Sequence, residues 1–250
     1  MILISGCGAL SLDEENRLGD EEVIRIASNT SGVTDPEIIA YIDEVVANLL
    51  AASPAGAQEI TLRIINSEAF NSFAIAGGNI YLTTGTILAC RNVSELASIL
   101  AHEIAHVKQG HITNGYRRYQ ASRKTAQLAG ITLAIATGNP FIAGAGDVAA
   151  NMGSSIYIGI HSRASETEAD ELAYHIMQGA GYDPRSQLTL LARLRISTIG
   201  QEIPPPFLLT HPLPQERMTE TENRLRLFTE KKGFKVNDEG RLEAIQNRLK

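Results

Sequence analysis

The segment Asn92–Gly110, NVSELASILAHEIAHVKQG, contains the pattern that decides the fold. Asn92 followed by Glu95 three residues later is a typical helix start, in which the two side chains cap the first turn. Apolar residues then recur at helical spacing on one side of the segment: Leu96, Leu100, Ile104 and Val107. The pattern predicts a long helix with this side in a protein core and the opposite side facing a cleft.

The opposite side contains an HExxH motif, His102 to His106. Residues four apart in a helix differ by about 40° in direction, so both imidazoles can bind a single metal ion. Glu103 lies beside them and is positioned to take a proton from a reacting water. These residues predict a site for one zinc ion per chain, with Glu103 as the catalytic base. The alternative is a chance pair of surface histidines, and the presence of a third ligand would distinguish a zinc site from it.

Catalytic zinc takes three protein ligands. The metzincin pattern would put glycine at position 109 and histidine at position 112, and Gln109 and Ile112 exclude that class. His111 would point about 180° away from His102 on a continuous helix. We therefore interpret His111 as a structural histidine near the helix end.

The segment Ser162–Asp170, SRASETEAD, offers a carboxylate instead. Glu166 and Asp170 are four apart and share one helix face. Glu166 is the predicted third ligand, and Asp170 is predicted to accept the remaining ring N–H of a ligand histidine. Glu168 points to the other side of the helix and is predicted to be solvated.

The remaining pattern predicts an α+β protein that is mainly helical. We expect two helices between residues 20 and 52, a strand at 58–66, a hairpin of strands 72–76 and 79–84, and later helices at 163–179, 184–199 and 215–232. The uncharged segment 125–146 predicts a helical hairpin lying against the domain, with a membrane span as the alternative. The predicted organisation is an N-terminal segment 1–19, a peptidase domain 20–232 and a C-terminal tail or helix 233–250.

The composition is that of a globular protein, with 44% hydrophobic and 20% charged residues among 250. The net charge of -6 disfavours nucleic acid as a partner. The first seven residues, MILISGC, resemble the end of a bacterial lipoprotein signal, in which Cys7 would be lipidated. A basic n-region and a full apolar run are missing from this stretch, so an ordinary frayed terminus is the alternative.

Three motifs in order, HEIAH, SRASETEAD and THPLPQER, resemble the gluzincin zinc peptidases that include the CAAX prenyl proteases and the HtpX-like and Oma-like peptidases. The similarity is strongest to the periplasmic BepA-like and LoiP-like members. It implies a gluzincin domain with a small edge sheet packed on the HExxH helix. It also implies zinc ligands His102, His106 and Glu166, catalytic Glu103, and Asp170 as their support.

His211, in the THPLPQER motif, matches a family histidine near the zinc. Two roles at the site remain open: a donor to the oxyanion of the transition state, or a zinc-binding latch that holds the enzyme latent. A purely structural cap is the alternative to both. Arg217 is predicted to anchor this loop. An extended substrate is predicted to pair with the strand that contains Asn71, Ser72, Phe73 and Ala74.

The resemblance implies a zinc endopeptidase that cleaves extended or misfolded proteins. Envelope protein quality control is the expected role, in the periplasm or at the outer membrane of a Gram-negative bacterium, with anchoring through lipidated Cys7. No transmembrane helix is expected, because the multiple spans of the prenyl proteases have no counterpart in the pattern. A chaperone-like assembly factor with a blocked or vestigial zinc site is the alternative from another class.

Overall fold

Helix α4, Val93–Lys108, lies at the centre of the computed structural model, which describes residues 11–56, 58–115, 117, 161–199, 206–212, 215–226 and 233–250. The Asn92 side chain accepts a hydrogen bond from the Glu95 amide at 2.9 Å and caps the helix as predicted. Every residue from Val93 to Val107 is buried, so both sides of the helix are covered by other elements.

The bounds of the described elements are α1 Leu12–Ala27, α2 Pro36–Ala52, β1 Thr61–Ile65, β2 Ser72–Ile75, β3 Asn79–Thr83, α3 Thr84–Ala89, α4, α5 Arg163–Gly179, α6 Arg185–Ser197, α7 Pro206–Thr210, α8 Gln215–Arg226 and α9 Arg241–Arg248. Helix α4 packs against α2, β2, α5 and α6. The short helices α3 and α7 were not expected from the sequence. The core between α2, α4 and α5 contains four fully buried side chains: Ile42, Leu49, Leu100 and Ile176.

The three strands form one small sheet with the order β1-β3-β2. Strand β3 pairs parallel with β1 and antiparallel with β2, so β2 lies at an edge. The turn between β2 and β3 needs glycine, because Gly77 and Gly78 have φ values of 74° and 70°. A Cβ on Gly78 would also lie 1.9 Å from the Glu59 carbonyl oxygen. The sheet packs on α4 through β2, which confirms the predicted fold class: mainly helical, with a small edge sheet on the HExxH helix.

Helix α1 begins earlier than the sequence pattern suggested. It starts at Leu12, so the predicted boundary between residues 19 and 20 falls inside a helix. Ser11 and Glu14 cap the first turn reciprocally, a signal obscured by the mostly polar composition of this segment. Gly19 packs so closely on the β2–β3 turn that a Cβ there would lie 2.3 Å from the Ala76 carbonyl oxygen.

The C-terminal segment, predicted as a tail or helix, contains helix α9. Leu242 and Ile245 of α9 are 4% and 6% exposed and belong to the main core, packed against α2. Lys235 forms a parallel bridge with Tyr182, which ties the start of the segment to the end of α5. Residues 233–250 are therefore part of the same packed unit as the helices before them.

Two sequence predictions lie outside the described residues: lipidation of Cys7 and the helical hairpin at 125–146. Among the helices that the structure describes, none combines the length and the apolar character that crossing a bilayer would require.

Candidate metal centre

Four buried side chains place one donor atom each around a common point: His102, His106, Glu166 and His211. The two histidine Nε2 atoms of α4 lie 3.0 Å apart. Glu166 of α5 brings Oε1 to 3.2 Å from His106 Nε2 and Oε2 to 3.4 Å from His102 Nε2. His211 follows α7, and its Nδ1 lies 3.3 Å from His102 Nε2 and 3.1 Å from Glu166 Oε1. The structure thus brings together the three predicted ligands and His211.

These distances fit a tetrahedral zinc ion. With bonds of about 2.0–2.1 Å, neighbouring donor atoms of such a site stand about 3.3 Å apart. The chemistry agrees, because His102 Nδ1 lies 3.0 Å from the Asp170 carboxylate, which orients the Nε2 lone pair inward. Lone pairs and a carboxylate at this separation repel one another unless a cation lies between them. The donor set therefore suits zinc.

Small residues let α4 and α5 approach closely enough to form the site. Ala101 and Ala105 of α4 and Ala169 and Ala173 of α5 are fully buried, and the two helices pack together along their length. Ser162 caps α5 by accepting a hydrogen bond from the Ser165 amide at 3.1 Å. The cap fixes the helix start, and with it the direction of Glu166 in the first turn.

Residues 36–225 match the sequence profile of peptidase family M48. The chain belongs to peptidase family M48. The family resemblance expected from the three motifs is therefore confirmed, and a divalent metal, typically zinc, is what this family implies.

Named relatives agree with this membership. The chain is 31% identical to the "Beta-barrel assembly-enhancing protease" of Yersinia pestis over 223 residues, which are 88% of this chain and 46% of that protein. It is 25% identical to the "Mitochondrial metalloendopeptidase OMA1" of Schizosaccharomyces pombe over 225 residues, 86% of this chain and 62% of that protein. It is 24% identical to the "Metalloprotease LoiP" of Escherichia coli over 183 residues, 72% of this chain and 68% of that protein. The chain spans less than half the length of the beta-barrel assembly-enhancing proteases that it matches.

Arg217 of α8 is part of the M48 site rather than only of the loop beside it. Its Nε lies 2.5 Å from Asp170 Oδ2, and its Nη1 lies 2.5 Å from Glu166 Oε2. Nη1 also donates a hydrogen bond to the Pro212 carbonyl at 3.1 Å, as the predicted anchoring of the loop requires. Arg217 is 3% exposed, so it supplies a buried positive charge to two buried carboxylates.

The pKa values of the two ligand histidines shift in opposite directions, because burial holds the pKa of His106 well below its ordinary value. Burial lowers the pKa of His102, but the carboxylates of Glu166 and Asp170 outweigh it and raise the pKa to about 9. Burial raises the pKa of Glu166, and His211, Arg217 and His102 reverse this and hold it well below the ordinary value. Glu166 is therefore an anion, as a metal ligand must be.

Glu103 lies against the site without joining the donor set. It is fully buried, and its Oε1 lies 3.4 Å from His211 Nε2. Neither carboxylate oxygen accepts a hydrogen bond within the described part of the chain. Burial raises the pKa of Glu103, although His211 and His102 act in the opposite direction. A carboxyl group with a raised pKa can both take and return a proton, which is what a general base of hydrolysis does.

His211 is held by α7 and by ring stacking. Its backbone amide donates to the Phe207 carbonyl at 2.8 Å, and its ring stacks on the Phe207 ring with centroids 4.6 Å apart. Phe207 in turn meets Phe70 edge-on at 5.5 Å. Phe70 directly precedes the predicted substrate strand, so the His211 loop and the start of that strand are packed together.

The predicted substrate residues Asn71 to Ala74 form β2 and the position before it. The Ser72 hydroxyl is buried and donates to the Tyr81 carbonyl, and Phe73 stacks on Tyr81. Ala74 is buried towards the core. Within the ranges that the structure describes, β2 pairs only with β3, so its other side is an edge, as strand addition requires.

Two further histidines lie in this cluster, and the sequence pattern predicts no role at the metal for either. His111 contacts His106, with the Nδ1 atoms 3.0 Å apart, and its Nε2 lies 3.1 Å from Glu168 Oε2. The His161 ring stacks on His106 with centroids 3.8 Å apart. Burial, with the nearby His211, lowers the pKa of His161 to about 3 and keeps this ring neutral.

The contact of His111 depends on where α4 ends. The helix stops at Lys108, and Gly110 adopts a φ of 67°, which breaks the helical path before His111. His111 therefore lies beside His106 instead of half a turn away from His102, as a continuous helix would have placed it. The glycine was the available signal, because a left-handed residue commonly ends a helix.

Proposed function

We propose that this M48 domain is a zinc-dependent endopeptidase with His102, His106 and Glu166 as the metal ligands and Glu103 as the general base. The observation that supports it best is the set of donor atoms 3.0–3.4 Å apart, with a buried carboxylate beside them. Zinc, when bound, supplies a Lewis acid that polarises the scissile carbonyl and makes water a better nucleophile.

Glu103 performs the proton transfers in this proposal. Its carboxylate takes a proton from the attacking water and later returns it to the leaving amine. The raised pKa of Glu103 lets the group hold that proton between the two steps. Asp170, itself neutralised by Arg217, keeps His102 in the tautomer whose Nε2 is free to bind metal.

The substrate in this proposal is an extended polypeptide that adds to the edge of β2 beside Asn71, Ser72, Phe73 and Ala74. Strand addition uses backbone hydrogen bonds, so it selects unfolded segments more than particular sequences. Such selection suits protein quality control. The relatives named beta-barrel assembly-enhancing protease support a role in the cell envelope. The lipoprotein-like start of the sequence supports anchoring through Cys7 in the periplasm or at the outer membrane of a Gram-negative bacterium.

We further propose that His211 is a latch. Its Nδ1 takes the position of a fourth donor, while its Nε2 faces Glu103. A tetrahedral zinc site with four protein ligands has no position left for water, as in structural zinc sites. Activity would then require His211 to leave. The same geometry is what favours the alternative, an assembly factor whose zinc site is permanently blocked.

Two variants test the function and the latch separately. Glu103→Gln keeps the size of the side chain but cannot take a proton, so it is expected to bind zinc with unchanged stoichiometry and to lose turnover of unfolded casein. His211→Ala is expected to raise casein turnover if the histidine is a latch, and to lower it if the histidine stabilises the oxyanion. Glu103→Gln cleaving at the wild-type rate would refute the assignment of the base. No chelator-sensitive cleavage by either the wild type or His211→Ala would favour the binding protein.

A further inference from the structure

The two ligand histidines of α4 are supported in different ways. His102 Nδ1 faces the carboxylate of Asp170 directly, at 3.0 Å. His106 Nδ1 faces another imidazole, the Nδ1 of His111, also at 3.0 Å. The outer nitrogen of His111 then meets Glu168 Oε2 at 3.1 Å. Both series of contacts therefore end at a carboxylate, but the series that starts at His106 includes one additional histidine.

The proton positions in this series follow from its two ends. Glu168 can only accept, so His111 Nε2 is the donor and His111 Nδ1 is left as an acceptor. His106 Nδ1 must then carry a proton and donate to His111. His106 Nε2 is thereby left with its lone pair, directed at the donor cluster.

Neighbouring residues hold His106, His111 and Glu168 in this arrangement. His111 is 5% exposed, and Gly110 turns the backbone so that its ring lies on His106. The Glu168 side chain is 60% exposed, yet the Gln109 side chain donates to the Glu168 backbone carbonyl at 3.3 Å and ties α5 to the end of α4. An exposed glutamate aligned on a buried histidine, which contacts a proposed metal ligand, is more than a solvated surface charge.

We propose that His111 and Glu168 are positioning residues that fix the tautomer and ring orientation of His106 and thereby strengthen zinc binding. This inference rests on the proposed function, because it takes His106 as a ligand. Neither residue touches the substrate or the reacting atoms. Their effect reaches the reaction only through His106.

We call the series of contacts from Glu168 through His111 to His106 the relay. Zinc affinity, measured by competition with a chromogenic chelator on the full chain, tests it. His111→Leu removes the acceptor and is expected to weaken zinc binding about 10- to 100-fold, as loss of such supporting contacts typically does. His111→Asn places an amide oxygen near the lost Nδ1 and is expected to recover most of the affinity. Glu168→Ala is expected to weaken binding, and Glu171→Ala, an exposed glutamate of the same helix, is the matched control with wild-type affinity.

A spectroscopic measurement separates positioning from folding. In zinc-loaded, nitrogen-labelled protein, the hydrogen bond is expected to give a coupling between the Nδ1 nuclei of His106 and His111, with the proton on His106. Glu168→Ala, a surface change that leaves the buried residues in place, is expected to weaken this signal. Wild-type zinc affinity in both His111→Leu and Glu168→Ala would overturn the relay. So would a proton located on His111 Nδ1.

The outcome also separates this inference from the proposed function. If His106→Asn abolishes zinc binding while His111→Leu and Glu168→Ala bind normally, the metal site is right and the relay is wrong. If His106→Asn binds zinc as the wild type does, the proposed ligand set itself is wrong.

Discussion

Arg217→Met tests whether one buried cation balances two buried carboxylates. Methionine keeps much of the length and apolar contact of the arginine stem but removes the guanidinium. Asp170 and Glu166, 1% exposed each, would lose the partner that lies 2.5 Å from both. Removing one partner of a buried ion pair typically costs about 3–5 kcal/mol, because the remaining charge stays buried without compensation.

The pKa of Asp170 gives an independent magnitude. Burial raises this pKa, but Arg217 and, to a smaller extent, His102 together outweigh burial and lower the pKa from 3.8 to about 2. A shift of this size corresponds to about 2–3 kcal/mol of stability. A lowered pKa makes this contribution present above pH 3.8 and lost as the pH falls towards 2. The difference in free energy of unfolding between the wild type and Arg217→Met should therefore be large at neutral pH and should become smaller below about pH 4.

Urea unfolding of chelator-treated protein, followed by circular dichroism from pH 7 to pH 3, measures both quantities. Arg226→Met is the control, because Arg226 is exposed on the same helix, and it should change stability by less than about 0.5 kcal/mol. The double variant Arg217→Met/Asp170→Asn should be more stable than Arg217→Met alone, because one of the two uncompensated charges is gone. A loss below about 1 kcal/mol for Arg217→Met at pH 7, or a pH-independent loss, would refute the charge balance.

Three further predictions concern packing and metal binding. Gly19→Val should detach α1 from the β2–β3 turn, since a Cβ would lie 2.3 Å from the Ala76 carbonyl oxygen, and faster amide exchange confined to α1 and this turn would show it. Leu242→Ala should cost about 2–5 kcal/mol in urea unfolding because α9 belongs to the main core; a loss under 1 kcal/mol would mean that α9 packs only loosely. Removing zinc from a solution in which its concentration is a hundred times its dissociation constant should lower the free energy of unfolding by about 2.7 kcal/mol, and the melting temperature with it. An unchanged melting temperature would argue against a metal site in the folded protein.

The central part of the site could be predicted from sequence because its signals are local. His102 and His106, and Glu166 and Asp170, are each four residues apart on one helix, so helical geometry alone places each pair on one face. Asn92 predicted where α4 begins, and the structure adds Ser162 as the cap of α5. Only the meeting of the two helices required information from outside either segment, and the ligand requirement of zinc supplied it.

The features that were missed depend on single backbone events or on distant packing. One left-handed residue, Gly110, decided the position of His111, and helical periodicity does not encode such a turn. Arg217 reached Asp170 and Glu166 because α8 packs on α5 across a long stretch of sequence. The early start of α1 followed from a capping box at Ser11, in a segment whose apolar residues are too sparse to indicate a helix.

The unequal support of the two ligand histidines has a consequence for how the site responds to its surroundings. Asp170 is buried and neutralised by Arg217, so the support of His102 is shielded from solvent and from salt. Glu168 is exposed, so its charge is screened by salt, and the support of His106 is the weaker of the two. A change in salt concentration should therefore affect the metal site first through the support of His106. Asp170 and Arg217, in contrast, are coupled to the packing of α8 on α5, so changes there should affect folding and metal binding together.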